Sequence, residues 1–419
     1  MNGSRLAGVV LIFGIATAAW AILSGTMYSR TSRSEASLRP RVEGLWGGKH
    51  AQAAPTVAAL SDVATGGQLH EPLLLDSSKI DVNLRADFRR KGLIWHRTYE
   101  VEFTGDYTVT NDSVWAREIE ATLQFPSPGA TYDGLDFSIK KTRARDASGG
   151  VSGVSITASA EPGETVPITV HYRSRGLDTW RYSFGPATAQ VDNCTIAVST
   201  NFARIDFPDA TLAPTRKTET PDGWDLTWEF KSLVTGLGVA IDMPMQLDPG
   251  PWATRVSAFA PIGLFFFLSL LVIVGMLDGK RLHPMHYAFV CAAFFSFHLL
   301  LAYLVDHVHM HLAFSIAAIC SVVLVVSYLL RAAGAKFTLT VAAPSQIIFL
   351  VLFSYSFFFP GYTGLAVTIG AVLTLAILMH LTAKVDWETK LGSQPPSPEP
   401  HKPSLGTKLR ERVDPPTDA

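Results

Sequence analysis

The chain has 419 residues, of which 48% are hydrophobic and only 17% charged, and its formal net charge is −1. A near-neutral balance without a clustered basic excess argues against a phosphate-binding surface, so no nucleic-acid partner is expected. Three cysteines, Cys194, Cys291 and Cys320, are too few and too separated for a disulfide framework or a zinc motif and read as small apolar side chains.

Taken in chain order, the first element is an apolar run from Leu6 to Tyr28. Arg5 gives it a positive flank, and Ala19-Trp20-Ala21 resembles a signal-cleavage site. The apolar character continues through Ile22, Leu23, Met27 and Tyr28, long enough to span a bilayer, so residues 1–28 are expected to be a retained anchor helix. Residues 29–69, rich in Ala, Ser and Gly, read as a juxtamembrane linker in which a helix leaves the membrane and gives way to a loop. Gly48-Lys49 is not a phosphate loop, because position 43 is Glu where that pattern requires Gly.

Residues 70–252 read as an all-β domain. Tyr99, Val101, Phe103, Tyr107 and Val109 alternate with Glu100, Glu102, Thr104, Asp106 and Thr108, the period-two pattern of a half-buried strand. Ile119 to Phe125 repeats it, as do Trp224, Leu226, Trp228 and Phe230. Turn chemistry separates the runs at Asn111-Asp112, Pro126 to Gly129, Gly149-Gly150, Glu161 to Glu164 and Pro221-Asp222-Gly223. Short strands punctuated this way suggest a sandwich whose aromatic residues form its core.

Five further apolar runs follow: Val256 to Leu277, Met285 to Val305, Leu312 to Leu330, Thr338 to Phe359 and Tyr362 to Thr382. Each approaches or exceeds the roughly 20 residues needed to cross a hydrocarbon core. Residues 253–387 are therefore expected to be a five-helix membrane domain. The Pro-rich polar stretch 388–419 cannot bury a core and is expected to be a disordered tail. The fold class is mixed: a bundle of six transmembrane helices with an all-β, sandwich-like extracytoplasmic domain between helices one and two.

Lys and Arg recur on alternate short connections, at Lys280-Arg281, from Arg331 to Lys336 and at Lys384, while Asp306 to His311 and Pro360-Gly361 carry none. The positive-inside rule then puts both termini in the cytoplasm and residues 29–252 outside. Arg30, Arg33, Arg39 and Arg41 oppose the rule, but long domains translocate largely regardless of charge.

Catalytic motifs such as H-E-x-x-H, G-x-S-x-G and C-x-x-C are absent from the sequence. What draws attention is polarity at membrane depth: His286, His298, Asp306, His307, His309, His311, Gln346 and His380. His298, Tyr303, Asp306 and His307 form the candidate functional cluster on the third helix, with Asp306 three residues from Tyr303 so that their side chains can meet. A structural role is expected for the cluster. No metal or cofactor is assigned, and a metal site or proton relay is the competing reading.

Arg281-Leu282-His283-Pro284-Met285-His286-Tyr287, Leu299 to Val305 followed by Asp306-His307, and Lys384-Val385-Asp386-Trp387 resemble, in order and spacing, the C-terminal part of the CreD family of bacterial inner membrane proteins. Leu45-Trp46-Gly47-Gly48 and Gln52 to Pro55 resemble its juxtamembrane stretch more loosely. Asp306 stands where Glu is expected in better-known members. The resemblance implies a role in cell-envelope integrity, envelope-stress regulation and tolerance to colicins or β-lactams, and brings no catalytic residue with it. The expected function is a non-enzymatic inner membrane protein whose partners are the lipid bilayer and periplasmic or envelope proteins. A transporter or signal-transducing receptor is the main alternative, hinted at by Pro344-Ser345-Gln346 inside the fifth helix, and an intramembrane metal-dependent hydrolase is the third reading.

Overall fold

The computed structural model describes residues 3–62, 68–127, 129–140, 142–143, 152–185, 189–280, 282–359 and 361–383. The tail expected at 388–419, the turn at Gly149-Gly150 and the segment Lys384 to Trp387 lie outside the described residues. Among the described residues, six helices are long and apolar enough to cross a membrane. They are α1 (Gly3–Trp46), α2 (Pro249–Leu277), α3 (Pro284–His307), α4 (Met310–Ala332), α5 (Ala335–Phe358) and α6 (Thr363–Thr382). The strands among the described residues lie between α1 and α2 in the chain.

The first helix does not stop at Tyr28. It continues to Trp46 through the stretch expected to be a linker. Ser29 to Val42 contains no Gly and a single Pro, and Met27, Thr31 and Val42 are buried at helical spacing along one face. Tertiary packing rather than lipid therefore sustains this half of the helix. Gly47 ends it in the left-handed region, at φ 83°, with its N–H donating to the Glu43 carbonyl at 2.9 Å. A side chain there would also sit 2.7 Å from the Arg175 carbonyl, so glycine is required twice over. Strands then begin at His50, well before the expected boundary at residue 70.

The chain divides into two compact units. The first comprises 1–21, 259–297 and 316–419, and its described part is helical. Within it Trp20 packs edge-on against Phe294 and Phe295. Gly263 lets α2 approach α5 so closely that an added Cβ would lie 2.4 Å from the Phe349 carbonyl. The buried Gln346 amide donates to Ser321 Oγ at 3.1 Å, and Ser321 donates to the Ala293 carbonyl at 2.7 Å. This chain ties α3, α4 and α5 where backbone and side-chain polar groups have no water to turn to. In α5, π turns over Thr338–Ala342 and Ile347–Leu352 flank Pro344, whose missing N–H interrupts regular winding.

The second unit comprises 22–258 and 298–315. Its largest sheet orders eight strands as Thr142–Arg143, Tyr132–Ile139, Thr165–Leu177, Thr98–Thr110, Ser77–Ala86, Ala189–Thr200, Trp224–Thr235 and Arg216–Glu219. A four-stranded sheet runs Gly153–Ala160, Arg117–Gln124, Thr56–Asp62, Gln68–Leu73. Three strands, His50–Ala53, Thr179–Ser183 and Val239–Asp242, form another sheet, and Arg89–Lys91 pairs with Ile94–His96 as a small hairpin. Ile80, Val82, Phe103, Ile119, Leu123 and Ile241, drawn from the three larger sheets, belong to one hydrophobic core.

The alternation read from the sequence is realised in that core. Tyr99, Val101, Phe103, Tyr107 and Val109 are all buried. Each such aromatic or branched side chain contributes about 1.5–3 kcal/mol from the apolar surface it removes from water. The buried hydroxyls are also matched: Tyr99 donates to the Thr179 carbonyl at 2.9 Å, Tyr172 donates to Gln52 Oε1 at 2.7 Å, and Tyr107 meets Tyr182 at 3.2 Å. Burial pushes the Cys194 thiol up to about 12, which leaves it an unreactive small apolar side chain.

His50 points into the same interior, edge-on to Tyr99 and 3.4 Å from Ser174 Oγ. Burial lowers its pKa from 6.5 to about 4. The unfolded chain therefore binds a proton that the folded state refuses in this window. Stability from this group is complete above pH 6.5 and is lost as pH falls towards 4, by about 3 kcal/mol. His50→Gln should flatten the pH dependence of urea unfolding by close to one proton between those limits. An unchanged slope would show that His50 does not carry it.

Candidate functional site

The third helix ends in the second unit, and its last turn leaves carbonyls without an intrahelical partner and a negative dipole end. Two arginines from separate elements answer it. Arg30, on α1, forms an ion pair with Asp306 and lies over the Tyr303 ring, 5.7 Å from its centroid. Arg90, in the small hairpin, donates from Nη2 to the Val305 carbonyl at 2.7 Å. Its Nε also donates to Gly92 O at 3.1 Å, which fixes the guanidinium in the hairpin's own turn.

Asp306 and Tyr303 do come together, as their spacing allows, but they meet through Arg30 rather than directly. The carboxylate is only about a quarter exposed, at 23%, while Tyr303 and His307 are exposed. His298 is fully buried and sits eight residues up the helix, about 12 Å from Asp306 along the axis, so it belongs to a different level of the structure. The imidazoles of His309 and His311 stack on each other, with centroids 5.4 Å apart. Among the described residues no three His, Cys, Asp or Glu side chains form a set that could hold a metal ion.

A second knot lies where α1 passes the strands. Asp178 adopts the left-handed conformation at φ 67°, tolerable for Asp, between the strands Thr165–Leu177 and Thr179–Ser183. Its buried carboxylate accepts from Arg39 Nη2 at 2.5 Å and from Arg97 Nε at 3.2 Å. Nearby, Asp248 Oδ1 accepts the Trp95 N–H at 2.7 Å, and Gly250 donates to the Leu93 carbonyl at 3.2 Å, which ties the start of α2 to the hairpin. Burial raises the Asp248 carboxyl and lowers the His96 imidazole, so both favour the neutral form more than usual. A cavity of about 150 Å³ separates these groups.

Arg30 and Arg39 had stood out only as exceptions to the charge rule, and Arg90 carried no signal at all. Each of the first two has a carboxylate partner, Asp306 for Arg30 and Asp178 for Arg39.

These features define a multi-pass membrane protein in which a β-rich region is clamped onto helix ends. Residues 196–388 match the family model described as inner membrane protein CreD, in agreement with the motifs around Leu282 to Tyr287 and Leu299 to His307. The chain is CreD-like over that stretch, from the last strands to the final helix. No curated protein matches it. Among solved structures, a crystal structure from Legionella pneumophila, described as a "putative nutrient binding protein", is similar at 9% identity and a TM-score of 0.33, with 51% of this chain and 80% of that chain covered.

The Arg30–Asp306 pair should show measurable coupling. Because Arg30 is 38% exposed, screening limits the interaction to about 1 kcal/mol in a double-mutant cycle of Arg30→Gln and Asp306→Asn read by thermal unfolding. Additive single effects would mean that the two groups do not interact in solution.

Proposed function

We propose that this chain is a non-enzymatic inner membrane protein that contributes to cell-envelope integrity and the envelope stress response. In this reading the β-rich region is a sandwich-like periplasmic domain, and its partners are envelope proteins. Both termini are cytoplasmic, residues 29–252 are outside, and the first helix is retained as an anchor. The alternation of Lys and Arg at Lys280, Arg331 and Lys336 with the loop Asp306 to His311, which carries neither, supports that orientation. The burial of Trp20 against Phe294 and Phe295 supports retention.

The observation that carries the reading is the double clamp on the end of α3. Arg30 and Arg90 belong to elements that also pack with the strands, so a force on the β-rich region is delivered to a membrane helix rather than dissipated in a linker. That is an architecture for holding or reporting. A transporter remains the second reading, favoured by the π turns around Pro344 in α5.

In cells that depend on this protein for envelope integrity, Arg30→Asp and Asp306→Arg should each weaken tolerance to a β-lactam at normal protein levels, and the double reversal should restore it. Reporter fusions after Lys280 and His309 should give cytoplasmic and extracytoplasmic activity, respectively. Single reversals without phenotype would remove the clamp from the function, and inverted reporter activities would overturn the orientation.

A further inference from the structure

The outward face of the eight-stranded sheet holds a cavity of about 520 Å³, within the range of small-molecule sites, which the clamp does not use. Trp46 and Gly47, at the end of α1, wall one side, so what would be an open polar sheet face becomes a cleft. A second hollow of about 580 Å³ lies on the same face and shares Asn83 and Glu102 with the first, making one continuous groove.

The register fixes its chemistry. Asn83 lies opposite Glu102 and Glu102 opposite Arg173, and in the neighbouring row Arg85 lies opposite Glu100 and Glu100 opposite Arg175. Arg173 donates from Nε and Nη2 to Glu102 at 3.0 and 2.8 Å, and Arg175 pairs with Glu100 at 3.2 Å. Asp133 faces Arg173 across the next strand pair. The first hollow thus holds three arginines against three carboxylates, Glu100, Glu102 and Asp133, and the second adds Arg216, Asp81 and Asp225. Arg175 and Arg89 both lie over the Trp46 ring, 4.9 Å from its centroid, which fixes the wall.

We propose that this groove binds a neutral saccharide chain. An anion would meet the carboxylates of the groove, and the Arg173 and Arg175 guanidiniums are already paired with Glu102 and Glu100. A peptide needs either a free strand edge or apolar pockets for alternate side chains, and the cavity lies on the face of inner strands whose backbone groups are engaged in the ladder. Sugar hydroxyls both donate and accept. They can therefore bridge the fixed alternation of guanidinium donors and carboxylate acceptors without carrying a charge to be desolvated. Because one wall is the end of α1, an occupant would touch the same helix that carries Arg30 and Arg39.

The test uses the full chain in detergent and titrates maltotriose, cellotriose, chitotriose, trialanine and inorganic phosphate, read by saturation-transfer NMR and calorimetry. At least one neutral trisaccharide should bind saturably with a dissociation constant on the order of 1 mM or tighter, and trialanine and phosphate should not. Asn83→Ala combined with Arg85→Ala, both exposed positions, should weaken that binding by about tenfold or more, while Lys79→Ala, outside the groove on the same strand, should leave it unchanged. Unaltered circular dichroism of the variants guards against misfolding. The proposal is overturned if no trisaccharide saturates, if trialanine or phosphate binds in its place, or if the Asn83 and Arg85 variant binds as tightly as the parent chain.

Discussion

The end of α3 presents carbonyls to which no further helical turn donates and a carboxylate about a quarter exposed, at 23%. Cations placed against such an end favour it, and here they arrive from α1 and from the hairpin Arg89 to His96. Much else follows from that placement. The outer half of α1 must remain helical beyond the apolar run to hold Arg30 in place, the hairpin must reach α3 to deliver Arg90, and Asp178 then anchors the same stretch of α1 through Arg39. Each contact alone is modest. Their value lies in joining elements far apart in sequence within one compact unit.

The six spanning helices were legible in the sequence because lipid demands continuous apolar character, and that demand is local. The strand Thr98–Thr110 was legible for a similar reason, since one buried face imposes a period of two on consecutive residues. Pro344 likewise marked the irregular winding of α5. A helix leaving the membrane was legible in 29–69, but its reach to Trp46 was not, because Ser29 to Val42 has no apolar run and packs with strands that come later in the chain. His50 and Gln52 looked like polar linker residues, yet the alternation of His50–Ala53 turns both inward, where Tyr99 and Tyr172 receive them.

For the candidate cluster, spacing along one helix gave the pairing of Tyr303 and Asp306 but could not supply the third member. Arg30 is a tertiary partner, and only its conflict with the charge rule marked it as unusual. His298, grouped with them by polarity, proves to occupy a separate buried level. A run of ionisable residues near a membrane boundary can thus combine two unrelated tasks: packing inside the helices and clamping at their ends. The polar groove behind Trp46 was invisible for the same reason, since Asn83, Glu102 and Arg173 share a face only through strand register.

The outer half of α1 belongs to the folded unit of the strands rather than to a flexible tether. Native-state hydrogen exchange on the full chain in a bilayer mimetic addresses it directly. Amides of residues 31–45 should be protected to a similar degree as those of the strand Thr98–Thr110 and should lose protection together with them when denaturant is added. Rapid exchange across 31–45 while the strand remains protected, as expected of an isolated helix in water, would contradict the account.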